Sequence, residues 1–282
     1  MENKTNPEVN SAIPSGREFL SAVLNHQNVC EQKSLEHLPK LGDGAQVTLS
    51  KLGTALSLLD RLASCYWGCH GLEHIIERLV GRSVSSALAA LRLIHFGHYD
   101  EALSLTRNIA ETGNLMYLFF EKPEMIRKWI DSNEKDRWRN FRPAKVRETL
   151  EDLGTGVPTD SEKYGLLCEI GVHVSPSTAP QSFNTSEIPT LGGYYQERGQ
   201  VICINELAWA VATVGAPAAG VAVLARDKAE EVVNAVISLA DTIGEVRLDN
   251  QDAVLKFSET TESSKQLLER TKWLDKNLRQ KA

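Results

Sequence analysis

ALSLTRNIAETGNLMYLFF, residues 102–120, carries only two charges in nineteen positions, Arg107 and Glu111. Everything else in it is apolar, small or uncharged on every side of a helical wheel, so the pattern predicts a helix enclosed by others. Four-residue spacing sets both charges on one face, where they can meet each other or a shared partner. Arg preceding Glu is the weaker orientation for supporting an isolated helix, so local stabilisation does not explain the pair. Enclosed in a core, it must be hydrogen-bonded, because removing one partner costs about 3–5 kcal/mol. It is therefore either a strut that fixes helix register or one wall of a site.

The pattern outward from this stretch is helical. Leu49, Leu52, Ala55, Leu56, Leu59, Leu62 and Ala63 recur at three and four, and a second helix is expected from Leu72 through Phe96. Gly97 followed by Asp100 reads as a helix stop and a new N-cap, the signal of an αα-hairpin. A charged amphipathic stretch at 123–152 restarts at Pro143, and Gly154, Gly156 and Pro158 break the chain before a helix from Asp160 to Val172. Residues 174–203, rich in Pro and Gly, predict an ordered loop insertion with a small β-hairpin around Gln200–Ile204. Helices resume from Asn205 to Gly244 and from Ser258 to Gln280. The spacing of Leu93, Gly97, Tyr99 and Ala102 imitates half of a tetratricopeptide unit, but nothing comparable follows about 34 residues later, so no solenoid is expected.

No series of β-branched strands is present. The fold class is all-α, a multi-helix bundle of about eight to ten helices. Residues 1–45 read as an N-terminal arm containing one short helix, and 46–282 as a single helical domain. Within that domain 46–173 form the core bundle, 174–203 the loop insertion and 204–282 the C-terminal helices.

With 282 residues, 42% of them hydrophobic, the chain can fill a sizeable core. A net charge of −6 argues against a general affinity for nucleic acid, although Arg137, Arg139, Arg142, Lys145 and Arg147 could form a local basic patch. The uncharged run from Leu207 to Ala225 is long enough to span a bilayer. Its Ala- and Gly-rich content, the break at Gly215–Pro217 and the lack of flanking anchors favour a buried helix or helical hairpin instead. Five cysteines without a recognisable export signal point to reduced thiols and a cytoplasmic location.

The main candidate site gathers the polar residues of the enclosed helices. Besides Arg107 and Glu111, helix 160–172 offers Tyr164, Glu169 and, at its end, His173, with Glu169 and His173 again four apart; Arg92 belongs to the preceding helix. Side chains projecting inward from facing helices are how bundles build ligand and catalytic sites. The competing expectation is a hydrogen-bond network with no chemistry. The sequence from Ala90 and Leu93 through Gly97, Tyr99, Ala102 and Leu103 to Arg107 and Glu111 continues into the aromatic Tyr117–Phe120, with Tyr164 and His173 before Pro176. It resembles a family of uncharacterised bacterial all-helical proteins over about Ala87 to Pro176. The resemblance implies helices and suggests that Arg107, Glu111, Tyr164 and His173 act as a group; it brings no activity with it.

Two further patterns stand apart. Arg92 and His98 have the Arg-to-His spacing of HEPN-type helical nucleases, which they resemble. In such a site the Arg would stabilise charge developing on phosphate while the His exchanges a proton with a ribose oxygen. His70-Gly-Leu-Glu73-His74 fits the H-x-x-E-H string of the inverzincins. On a helix His70 and His74 would face one way and could hold zinc, with Glu73 as base, Glu151 as a further ligand and Cys65 and Cys69 as soft donors nearby. Gly68 and Gly71 weaken a helix there, and the expectation is no bound metal and no other cofactor. No P-loop, dinucleotide fingerprint or nucleophile elbow is present. The reading is a cytoplasmic bacterial helical module that binds a small molecule or a protein partner through the Arg/Glu/Tyr/His cluster, away from membranes. Nothing in the chain argues against a homodimer. The alternatives are a metal-independent ribonuclease and a metal-dependent hydrolase.

Overall fold

The computed structural model describes residues 15–41, 43–69, 71–173 and 193–248. Ten α-helices follow one another among these residues, and no strand occurs among them. They are α1 (Gly16–His37), α2 (Asp43–Ala63), α3 (Ile75–His95), α4 (Tyr99–Glu121), α5 (Glu124–Asp131), α6 (Glu134–Phe141), α7 (Pro143–Asp152), α8 (Ser161–Gly171), α9 (Glu197–Val221) and α10 (Arg226–Ala240). The expected all-α bundle is what forms.

The central element is α9. It packs against α2, α3, α4 and α10, while α4 packs in turn on α3, α7, α8 and α9. Ile202, Ile204, Leu207, Val211 and Val214 on α9 are all at most 1% exposed. Burying each such aliphatic side chain contributes about 1.5–3 kcal/mol. Among the described residues α9 alone is long and apolar enough to cross a membrane, and 83% of its most apolar window is buried inside the bundle. Small residues allow the close packing: a Cβ on Gly113 of α4 would stand 2.3 Å from Thr213 Oγ1, and one on Gly215 would stand 2.6 Å from Val236 Cγ2. Any larger side chain there would force the helices apart.

Several local expectations need correction. α9 runs unbroken past Pro217, so Gly215–Pro217 does not divide it into a hairpin. Pro217 falls in the last turns of the helix, where the packing of neighbouring helices outweighs one lost hydrogen bond. The run Gln200–Ile204 is helical, not a hairpin strand; its alternation is buried on both sides by α9's neighbours. Of the expected loop only 193–196 is non-helical among the described residues, since α9 begins at Glu197; residues 174–192 and the helix expected at Ser258–Gln280 lie outside the described residues. Within 1–45, α1 is a 22-residue helix rather than a short one. Its start is a capping box, in which Glu18 N donates to Ser15 Oγ and Ser15 N donates to Glu18 Oε2. Its inner face buries Cys30 and Ser34, and Gln200 Nε2 donates to Ser34 Oγ at 2.7 Å. The amphipathic stretch 123–152 is three helices, because Asn133 caps α6 at Asp136 N and Arg142, preceding Pro143, is extended.

One buried charge cluster ties the bundle together after α10. The Glu206 side chain is 1% exposed and accepts from Lys163 Nζ at 3.0 Å, Arg247 Nε and Nη2 at 2.8 Å each, and Leu248 N at 2.9 Å. Burial by itself would raise its pKa, but the Arg247 hydrogen bond and the Arg247 and Lys163 charges outweigh it and hold the carboxyl below its ordinary range. A fully bonded carboxylate of this kind pins residues 246–248 against α8 and α9.

Candidate functional site

Helices α4, α7 and α8 meet along the face that carries Arg107 and Glu111. Arg107 Nη2 donates to Glu111 Oε1 at 2.6 Å and also to the Tyr164 hydroxyl. Tyr164 in turn donates its hydroxyl proton to Glu111 Oε1 at 2.6 Å, closing a three-membered ring of hydrogen bonds between α4 and α8. Arg107 Nε adds a bond to Cys168 Sγ at 3.1 Å, one turn further along α8. The Arg107 and Glu111 side chains are 19% and 23% exposed. The pair is therefore half-buried rather than enclosed, since α4 presents this one side to the rim of the bundle.

Electrostatics follow from that geometry. Desolvation works against the Arg107 cation, yet the Tyr164 hydrogen bond and the Glu111 charge together raise its pKa. Tyr164 is pushed up to about 12, first by desolvation and then by its bond to Glu111. At neutral pH the ring thus holds the Arg107 cation and a protonated Tyr164 phenol.

The fourth member of the group had no place in the sequence expectation for the site. Arg147 of α7, counted there with a surface basic patch, is only 8% exposed. Its guanidinium carbon lies 4.0 Å from the centroid of the Tyr164 ring, with Arg107 at 5.0 Å from the same centroid. Such cation–π contacts are worth about 2 kcal/mol or more when desolvated. They leave Arg147 Nε and Nη1 buried without a hydrogen-bond acceptor among the described residues. Two guanidinium groups therefore lie against a single aromatic ring, and Arg107 is the one bonded to Glu111. The only sequence signal for Arg147 was its place one turn beyond Pro143, which did not say which way it points.

Of the residues expected to act together, Arg107, Glu111 and Tyr164 converge. Glu169 and His173 are exposed, Glu169 on the outer side of α8 and His173 just past its end. Arg92 and His98 take separate partners. Arg92, 60% exposed, pairs with Glu31 of α1 and lies over the Phe96 ring. His98 is the N-cap of α4, and its Nε2 meets Gln27 Nε2 at 3.0 Å.

Among the described residues of the metal string, Glu73 and His74 have left-handed backbone. His74 is the left-handed N-cap of α3, Glu73 turns toward Arg127 at 3.8 Å, Glu151 is exposed at the end of α7, and His70 lies outside the described residues. An apolar groove of about 410 Å³ opens elsewhere, between Tyr117, Val157, Trp209, Thr213, Val236 and Ile237. No charged side chain lines it. No family model, curated protein or solved structure matches the chain.

Proposed function

We propose that this chain is a cytoplasmic helical module whose Arg107–Glu111–Tyr164 face, with Arg147 beneath it, binds a small anionic ligand. The observation that carries the reading is Arg147, a guanidinium more than nine-tenths buried with two nitrogens lacking an acceptor. Burying such a group unpaired is costly, and a carboxylate or phosphate oxygen would supply what it lacks. Tyr164 and Glu111 would orient Arg107 toward the same anion, and the half-exposure of the pair leaves a way in from solvent. A network serving only register would be expected to satisfy every buried donor. The free state of all five cysteines accords with a reducing compartment.

Titration calorimetry at low ionic strength, with inorganic phosphate and then succinate as probes, tests the reading. Saturable binding of one probe that is lost in Arg147→Gln and in Arg107→Gln is the expected result. If neither probe binds and Arg147→Met makes the protein more stable, the cluster is scaffold and the proposal is wrong.

A further inference from the structure

The loop between α2 and α3 holds an unusual density of left-handed backbone. Cys65, Glu73 and His74 have φ of 56°, 56° and 59°, a region that costs a non-glycine residue roughly 1–3 kcal/mol. Two of these three residues present donor atoms to each other, with Cys65 Sγ 3.4 Å from His74 Nδ1. Cys69 completes a trio whose ligand atoms all lie within 4.8 Å of one another.

Around a tetrahedral zinc ion, with Zn–S near 2.3 Å and Zn–N near 2.0 Å, adjacent donors stand about 3.5–3.8 Å apart. The Cys65–His74 contact is already close to that separation, and Cys69 needs to move inward by about an ångström at most. Cys69 and His74 are exposed and Cys65 is half-buried, so an ion can enter from solvent and keep a water in its fourth position. Beneath the trio lies the Glu77 carboxylate, 3% exposed, with Oε1 3.9 Å from His74 Nδ1. Its charge favours a cation at this spot.

We propose that Cys65, Cys69 and His74 form a binding site for a thiophilic divalent ion of the zinc class, clipping the end of α2 to the start of α3. The donor set selects the ion: two sulfurs and one imidazole suit zinc and exclude magnesium or calcium, which need oxygen cages. Binding releases the two thiol protons to solvent, and the two thiolates formed balance the charge of the ion. Of the residues the sequence offers for a metal, the site takes His74 with the soft donors Cys65 and Cys69, and leaves out Glu151. The proposal is independent of the anion site on α4, α7 and α8.

Reduced, chelator-stripped protein titrated with Co²⁺ provides the test, followed by displacement with Zn²⁺. One equivalent of Co²⁺ per chain, with thiolate-to-cobalt charge-transfer absorption that Zn²⁺ abolishes, is the expected result. Cys65→Ser, Cys69→Ser and His74→Ala should each weaken Co²⁺ binding by at least about tenfold, since even outer partners of metal ligands contribute that much. Cys203→Ser, at a buried position on α9, should leave the spectrum unchanged, and far-ultraviolet circular dichroism checks that each variant is folded. Absence of sulfur charge transfer in the wild type, or binding that survives both cysteine variants, overturns the proposal. Isolation of a stable Cys65–Cys69 disulfide whose reduced form takes up no metal also overturns it.

Discussion

Replacing Glu206 with alanine is the sharpest test of how this bundle is held together. The substitution removes an acceptor of four hydrogen bonds and leaves Lys163 and Arg247 facing each other. Breaking a buried ion pair from one side costs about 3–5 kcal/mol. Lys163 and Arg247 keep 22% and 25% of their side-chain surface, so water relieves part of the repulsion and the expected loss is near 3 kcal/mol. In a chain of this size that corresponds to a fall in Tm of about 6–12 °C. Glu206→Gln keeps the shape and some of the bonds but cannot offset two cations, and should lose about 2 kcal/mol.

Urea melts followed by circular dichroism give the global loss. Emission from Trp209, whose ring lies 5.4 Å from the Arg247 guanidinium carbon, reports on the same corner of the fold. The pH dependence has a definite sign. Because the folded pKa of Glu206 is depressed, its contribution is fully present above the unfolded carboxyl value of about 4.5 and is lost as pH falls through the folded value. The stability gap between wild type and Glu206→Gln should therefore be flat at neutral pH and shrink on acidification below about 4.5. A loss under about 1 kcal/mol in Glu206→Ala, or a gap that widens in acid, would refute the buried-strut argument.

Glu111→Ala should cost less than that, about 1–2 kcal/mol, because Arg107 is partly solvated and keeps Tyr164 and Cys168. The apolar pair Arg107→Met with Glu111→Leu should fall within about 1 kcal/mol of wild type, and a double-mutant cycle in urea measures the coupling. Neither Arg92→Ala nor His98→Ala should alter cleavage of single-stranded RNA, since the wild type is expected to show none above background; robust cleavage lost in both variants would restore the ribonuclease reading. Gly113→Ala should destabilise by about 1–3 kcal/mol, because its Cβ would stand 3.2 Å from the Thr213 backbone as well as against its side chain. Gly53→Ala on α2, with open space around it, should instead gain up to about 1 kcal/mol in the same melts.

The sequence by itself determined the all-α class and most of the helices, because helical periodicity and stop signals are local. The charge-poor stretch at 102–120 does become a packed helix, and Arg107 and Glu111 do meet, since four-residue spacing is a property of one helix. Capping decided α1 in the same local way, through the Ser15–Glu18 box that its weak hydropathy pattern obscured. What only the tertiary structure decided is which side chains from separate helices share a space. Tyr164 lies 53 residues from Glu111 along the chain, and nothing local aims it at Arg107 while leaving Glu169 outside. Arg147 reads as one more surface cation in the sequence, and only the packing of α7 on α4 sets its guanidinium over the Tyr164 ring. Glu206 borders the most apolar run in the chain, and its partners Lys163 and Arg247 stand 43 and 41 residues away. At His74 a helix would align the side chain with His70 four residues back, whereas its left-handed backbone sets Nδ1 against Cys65 Sγ. Periodicity is written in neighbouring residues. Convergence depends on how rigid helices rotate and pack around α9, a property of the whole bundle rather than of any one segment.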